Sequence, residues 1–148
     1  GSLSDRIING SGGTGAIDTD FTKAVASGLV GSTMNNGSVG CVEFATKFGS
    51  YFSKFLSDEL SKGTVNVDVL MQNARAAGLQ HVTNGTPAKG DIIVYRNDAE
   101  GYNHVVIADG QGGYYGNSSS QNKGVHGSDF HEMGGWTNYA GFISLQGK

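Results

Sequence analysis

The sequence predicts an α+β fold in which N-terminal helices pack on an antiparallel β-meander. Apolar residues recur at helical spacing through the first half of the chain, and the period switches to two after Gly78. The later apolar runs are short and separated by turn-forming residues, and helices followed by strands do not make alternating βαβ units. The chain has 148 residues, a length that buries about two-thirds of its unfolded surface and suits one compact domain.

The elements follow in order. Gly1 and Ser2 read as a cloning remnant, and residues 3–37 as an N-terminal loop and short helix. Asp18, Thr19 or Asp20 caps that helix ahead of Phe21, Ala24, Val25 and Ala26. Residues 27–40 are Gly- and Asn-rich loop chemistry. Residues 38–148 form the core. From Cys41 onward Val42, Ala45, Phe48, Phe52, Phe55 and Leu56 recur at helical spacing, which predicts one helix of about four turns. A further helix spans about Val67 to Ala77, with Asn66 or Asp68 at its start and Gly78 as its stop. Strands are expected at 91–95, 104–109, 113–118 and 139–145.

Composition excludes several classes. Hydrophobic residues are 37% and charged residues 16%, with 25 Gly and one Pro, so the chain is neither disordered nor collagen-like. The formal net charge is −3 and basic residues do not cluster, so nucleic acid is not an expected partner. No apolar run reaches the ~20 residues of a membrane span, and the start GSLSDR lacks the apolar core of a signal peptide. A secretion signal or further domain is then expected outside this sequence.

One cysteine, Cys41, excludes an intramolecular disulfide and any zinc site that needs two cysteines. It is either a buried bystander or a reactive thiol. At a helix start its thiolate gains from the unpaired N–H groups there, but that gain of about 0.3–1 kcal/mol moves a thiol pKa by less than one unit. An imidazolium partner would supply the rest. His104 opens the run HVVIAD, joined to GYYGNS by the turn-like DGQGG, so the two read as a hairpin. If Asp109 faces Tyr114, His104 lies opposite Ser119 and diagonal to Asn117 on one sheet face, where Asn117 can fix the imidazole tautomer. A slip of one residue would move Asn117 to the other face.

The segments GCVEFATKF (40–48), PAKGDIIVY (87–95) and HVVIADGQGGYYGN (104–117), in that order, resemble the papain-like cysteine peptidases of the NlpC/P60 and CHAP families, which cut bacterial cell-wall peptides. The resemblance covers roughly residues 38–145. It implies a papain-like core with Cys41 as nucleophile, His104 as base and Asn117 as the best match for the orienting residue, with Gly90 and Asp91 in a structural turn. The Gly40-Cys41-Val42 start departs from NlpC/P60, and Tyr115 stands where CHAP sequences carry Glu, so the subfamily stays open.

The resemblance further implies a hydrolase acting on an amide bond of peptidoglycan stem peptides, with peptidoglycan or its fragments as partner. It implies no metal or cofactor, no membrane insertion, and a secreted, cell-wall or periplasmic setting. The rivals are a cysteine acyltransferase or amidase with a non-wall substrate, and a non-catalytic wall-binding module with a buried Cys41.

Other residues have plainer readings. His81 falls in a loop. His126, Asp129, His131 and Glu132 form a metal-like cluster whose HxxxxH spacing fits no helical ligand pair, which favours a solvated loop. Gly110, Gly112 and Gly113 make a hairpin turn, because a strand follows them. Tyr95, Tyr102, Tyr114, Tyr115, Tyr139 and Trp136 read as core or cross-strand partners. Asn35 and Asn36 could face an oxyanion, but the Cys41 N–H is the better-placed donor.

Overall fold

The computed structural model describes residues 15–35, 40–97, 101–131, 138–145 and 148. Gly1, Ser2, Asn36, Glu132 and Trp136 lie outside the described residues. The fold is α+β. Among the described residues four helices, α1 (Gly15–Ala26), α2 (Gly40–Gly49), α3 (Lys54–Lys62) and α4 (Val67–Ala76), precede six strands: β1 (Gln80–Val82), β2 (Ile92–Asn97), β3 (Gly101–Ala108), β4 (Tyr114–Ser118), β5 (Lys123–Gly127) and β6 (Asn138–Ser144). The strands form one sheet in the order β1-β6-β2-β3-β4-β5, with every pairing antiparallel. The expected meander runs from β2 to β5, and the last strand returns to separate β1 from β2.

Side chains alternate across the sheet, so each strand serves two clusters. Ile92, Val94, Val105, Ile107 and Ile143 face the helices and pack with Phe21, Val42, Phe44, Phe48, Leu56 and Leu70. Ile93, Tyr95, Val106, Ala108 and Phe142 form the other face, with Phe130. On the helix side Phe48 is the hub. It stacks on Phe44 at 5.3 Å and on Tyr115 of β4 at 5.1 Å, and meets Phe21 of α1 edge-on at 5.4 Å. Such pairs add about 0.5–1.5 kcal/mol each beyond burial.

The single helix expected from Cys41 onward is two helices. Gly49 lies so close to the Leu56 side chain that a Cβ there would overlap it, and Ser53 starts a new helix as its N-cap by accepting the Leu56 N–H. Helical periodicity survives the break because both halves present their apolar residues to the same core. In contrast, α4 begins at its expected cap, Asn66, which accepts the Val69 N–H, and chain reversal follows at Gly78, whose φ is 81°.

Two strands were not expected. β1 contains His81, whose ring bonds the Ala140 carbonyl at 2.7 Å. β5 contains His126, which is therefore in a strand and not in a loop. The outer edge of β5 is occupied by the segment after α1: the Gly31 N–H bonds the Gly124 carbonyl at 2.8 Å, and the Gly124 N–H bonds the Ser32 carbonyl at 2.9 Å. That covers a row of backbone groups otherwise open to another chain.

Candidate active site

The site forms where β3 and β4 part. Their pairing is limited to Ile107↔Tyr115 and Ala108↔Tyr114, after which β4 runs on with β5. The N-terminus of α2 fits beside this opening. The sulfur of Cys41, in the first turn of α2, is faced by the backbone N–H groups of Val105, Val42 and Cys41. These donors favour thiolate. Burial outweighs them, because the residue is only 6% exposed, and pushes the Cys41 thiol above its ordinary value.

His104 precedes Val105 directly, so the imidazole and the donor to the sulfur belong to consecutive residues. Its cross-strand partner is Tyr95, with ring centroids 5.8 Å apart, which places the imidazole on the second face of the sheet. A bulge in β3 opposite Tyr95 and Arg96 takes up one extra residue, Asn103, just before His104. Burial pushes the His104 pKa down to about 4, and the ring is neutral at pH 7. The thiolate–imidazolium pair expected from the sequence is thus not the resting state. Both groups are buried and both are held neutral, and among the described residues no hydrogen bond joins the sulfur to the ring.

The expected register of the hairpin is overturned. Tyr114 faces Ala108 and not Asp109, because Asp109 turns back into the loop, where its carboxylate accepts the Gln111 and Gly113 N–H groups at 2.7 and 2.9 Å. Extending the observed register sets Asn117 opposite Val105, on the helix side, while His104 points the other way. Asn117 therefore does not orient His104 across a shared face. It lies instead against the start of α2: a Cβ added to Gly40 would come within 2.5 Å of Asn117 Nδ2. Asn117 is buried at 4% exposure, and its Nδ2 donates to Asn122 Oδ1 at 3.3 Å. Asn122 Nδ2 in turn donates to the Met34 carbonyl at 3.1 Å. Nothing in the sequence signalled this relay beyond the polar run 117–122; Asn122 occupies a left-handed turn position with φ 52°.

The Pro87–Asp91 turn is built as the motif implies. Asp91 accepts the Ala88 N–H at 2.8 Å and the Leu145 N–H at 3.1 Å, tying the turn to the end of β6. Gly90 takes φ 93° beneath the Phe52 ring. Burial of the Asp91 carboxyl raises its pKa to about 6 despite these two donors.

The remaining candidates are structural. His126 stacks on Tyr115 at 4.1 Å and bonds Asp109 at 2.9 Å. Burial would raise the Asp109 pKa, but His126 and the two loop amides outweigh it and hold the carboxyl below its ordinary value. Asp129 accepts the His131 N–H. No group of three or more metal-ligating side chains converges among the described residues. Asn35 is exposed. Gly110 and Gly112 occupy the expected hairpin turn with φ 82° and 88°, and Tyr95 is fully buried with its hydroxyl donating to the Phe130 carbonyl at 2.6 Å. No described helix is long and apolar enough to cross a membrane. No model of a known protein family and no curated protein sequence matches this chain.

Proposed function

We propose that the protein is a papain-like cysteine hydrolase that cuts an amide bond in the stem peptides of bacterial peptidoglycan, acting in a secreted, cell-wall or periplasmic setting. The observation that carries this reading is the placement of the Cys41 sulfur in the first turn of α2, against the backbone amide that follows His104. The peptidoglycan substrate rests on the resemblance of residues 38–145 to the NlpC/P60 and CHAP peptidases.

The buried, neutral pair sets the order of steps. In this reading His104, whose ring rests on the second face of the sheet, swings toward the opening between β3 and β4 as a substrate carbonyl enters and takes the Cys41 proton while the sulfur attacks, so charge forms only with substrate in place. The Val105 N–H stabilises the developing thiolate, and the amides of the first α2 turn face the developing oxyanion. His104 then protonates the leaving amine, and a water deprotonated by His104 releases the acyl group. Digestion of purified muropeptides followed by mass measurement tests the reading. Wild type should yield a product shortened at one amide bond, and Cys41→Ala should yield none while keeping its circular dichroism spectrum. Cleavage by the alanine variant would end the proposal.

The burial of Cys41 also favours a second reading, a wall-binding module with an inert thiol. Intact muropeptides retained by the wild-type protein would establish it.

A further inference from the structure

The polarity of the Asn117 carboxamide is fixed from a distance. The Met34 carbonyl can only accept, so the Asn122 group beside it must be the NH₂, at 3.1 Å. That turns Asn122 Oδ1 toward Asn117, and the Asn117 atom it meets must be the NH₂, at 3.3 Å. The Asn117 oxygen is left over. It is buried and has no donor among the described residues. An unmet buried carbonyl costs on the order of a lost hydrogen bond, and this one stands at the N-terminus of the ten-residue helix that carries Cys41. The carboxamide lies against Gly40, the residue before Cys41, and Asn117 extends the register opposite Val105, the residue whose N–H faces the sulfur. Cys41, Val105 and Asn117 thus converge at the start of α2, beside the point where β3 and β4 part.

We propose that Asn117 Oδ1 is the acceptor for a substrate N–H next to the scissile carbonyl, so that the site selects peptide-like amides over N-alkylated or ester analogues. This role rests on Cys41 being the nucleophile. A substrate carbonyl that reaches the sulfur brings its flanking N–H groups into the same opening, and the oxygen there accepts and cannot donate. Asn122 is then a positioning residue: it touches no substrate but prevents the Asn117 amide from rotating to present its NH₂.

The test uses the covalent probe N-acetyl-alanyl chloromethyl ketone and its N-methyl counterpart, with Cys41 modification followed by mass spectrometry. Methyl methanethiosulfonate, which has no N–H, reports the thiol alone. Wild type should react about tenfold faster with the N–H probe, as one hydrogen bond to an otherwise unmet acceptor predicts. Asn117→Ala should bring the ratio of the two rates near one, each rate taken relative to the variant's own methanethiosulfonate rate. Asn122→Gly, which suits the left-handed backbone, should lower the ratio in the same direction; a packing role alone would leave it unmoved. A wild-type ratio near one, or a full ratio in Asn117→Ala or Asn122→Gly, would overturn the role of Asn117 while leaving Cys41 as a nucleophile. A Cys41 that takes methanethiosulfonate and refuses both ketones would overturn the nucleophile reading and this role together.

Discussion

The N–H of Val105 faces the Cys41 sulfur, and it is free to do so only because β4 has turned away from β3 at that point. In a continuous sheet the β3 edge facing β4 would be occupied by backbone partners. The short pairing of β3 with β4 is therefore what lets a helix N-terminus reach the strand that carries His104.

Cys41 should be a slow thiol in the absence of substrate. Burial raises its pKa, and burial keeps His104 uncharged and unable to offset it. The rate of alkylation by iodoacetamide should stay low at pH 6 and climb through pH 9 without levelling, whereas the same cysteine in urea should level near the ordinary thiol value. Mass spectrometry of the modified protein at a series of pH values measures both. A plateau reached by pH 7 in the folded protein would mean a preformed ion pair.

Two buried titrations of opposite sign should leave the stability of the protein nearly flat between about pH 4 and pH 6. His104 has its pKa lowered from 6.5 to about 4, so over that window only the unfolded chain takes up its proton, and acidification favours unfolding. Its contribution is complete above pH 6.5 and is lost as pH falls toward 4. Asp91 has its pKa raised from 3.8 to about 6, so the folded protein takes up that proton first, and acidification favours folding. Its contribution is complete below pH 3.8 and is lost as pH rises through 6. Each amounts to about 3 kcal/mol at about 1.4 kcal/mol per pKa unit. Asp91→Asn removes one of the two, so urea midpoints should fall steeply from pH 6.5 to pH 4. His104→Gln should reverse the slope, with midpoints rising on acidification.

Gly40→Ala sets two effects against each other. Replacing a helical glycine by alanine is worth about 1 kcal/mol in helix propensity. The new methyl group, however, would meet Asn117 Nδ2 at 2.5 Å and Asn122 Oδ1 at 3.1 Å, and both belong to the relay fixed on Met34. Because neither carboxamide can move without giving up a buried hydrogen bond, overpacking should prevail, with a net loss of about 1–3 kcal/mol in urea denaturation. A gain in stability would mean that the relay yields easily.

Much of the fold can be read from the chain because the signals are local. Asn66 at the start of α4, Gly78 at the reversal and the Pro87–Asp91 turn each place a residue type where its own backbone chemistry acts. The candidate site was legible in part: Cys41 at a helix start and His104 on a strand follow from sequence period and motif order, but their meeting does not, since Cys41 packs on the helix face of the sheet and the His104 ring lies beside Tyr95 on the other. Asn117 was misplaced because the register of β3 with β4 depends on where the DGQGG turn closes, and either of two adjacent closures suits those residues. Asp109 decides it, through bonds to Gln111, Gly113 and His126 that only the folded chain brings together. The break between α2 and α3 is likewise tertiary, since it depends on Leu56 packing onto Gly49.

That break depends on Ser53. Its hydroxyl accepts the Leu56 N–H at 3.1 Å and donates to the Lys148 main-chain oxygen at 3.0 Å, with the residue itself buried at 3% exposure. The Phe55 N–H also bonds the Lys148 main-chain oxygen, at 2.7 Å, so Ser53→Ala leaves that oxygen satisfied but strands the Leu56 N–H. The cost should sit at about 1–2 kcal/mol, the upper part of the range for a lost cap, because water has poor access to the orphaned donor. Ser53→Asp restores an acceptor for the cap but has no proton to give the Lys148 main-chain oxygen, and it buries a charge in the process. It should therefore recover none of the loss at pH 7. Thermal unfolding of the two variants beside wild type measures this, and wild-type stability in Ser53→Asp would show that the contact with Lys148 carries no weight.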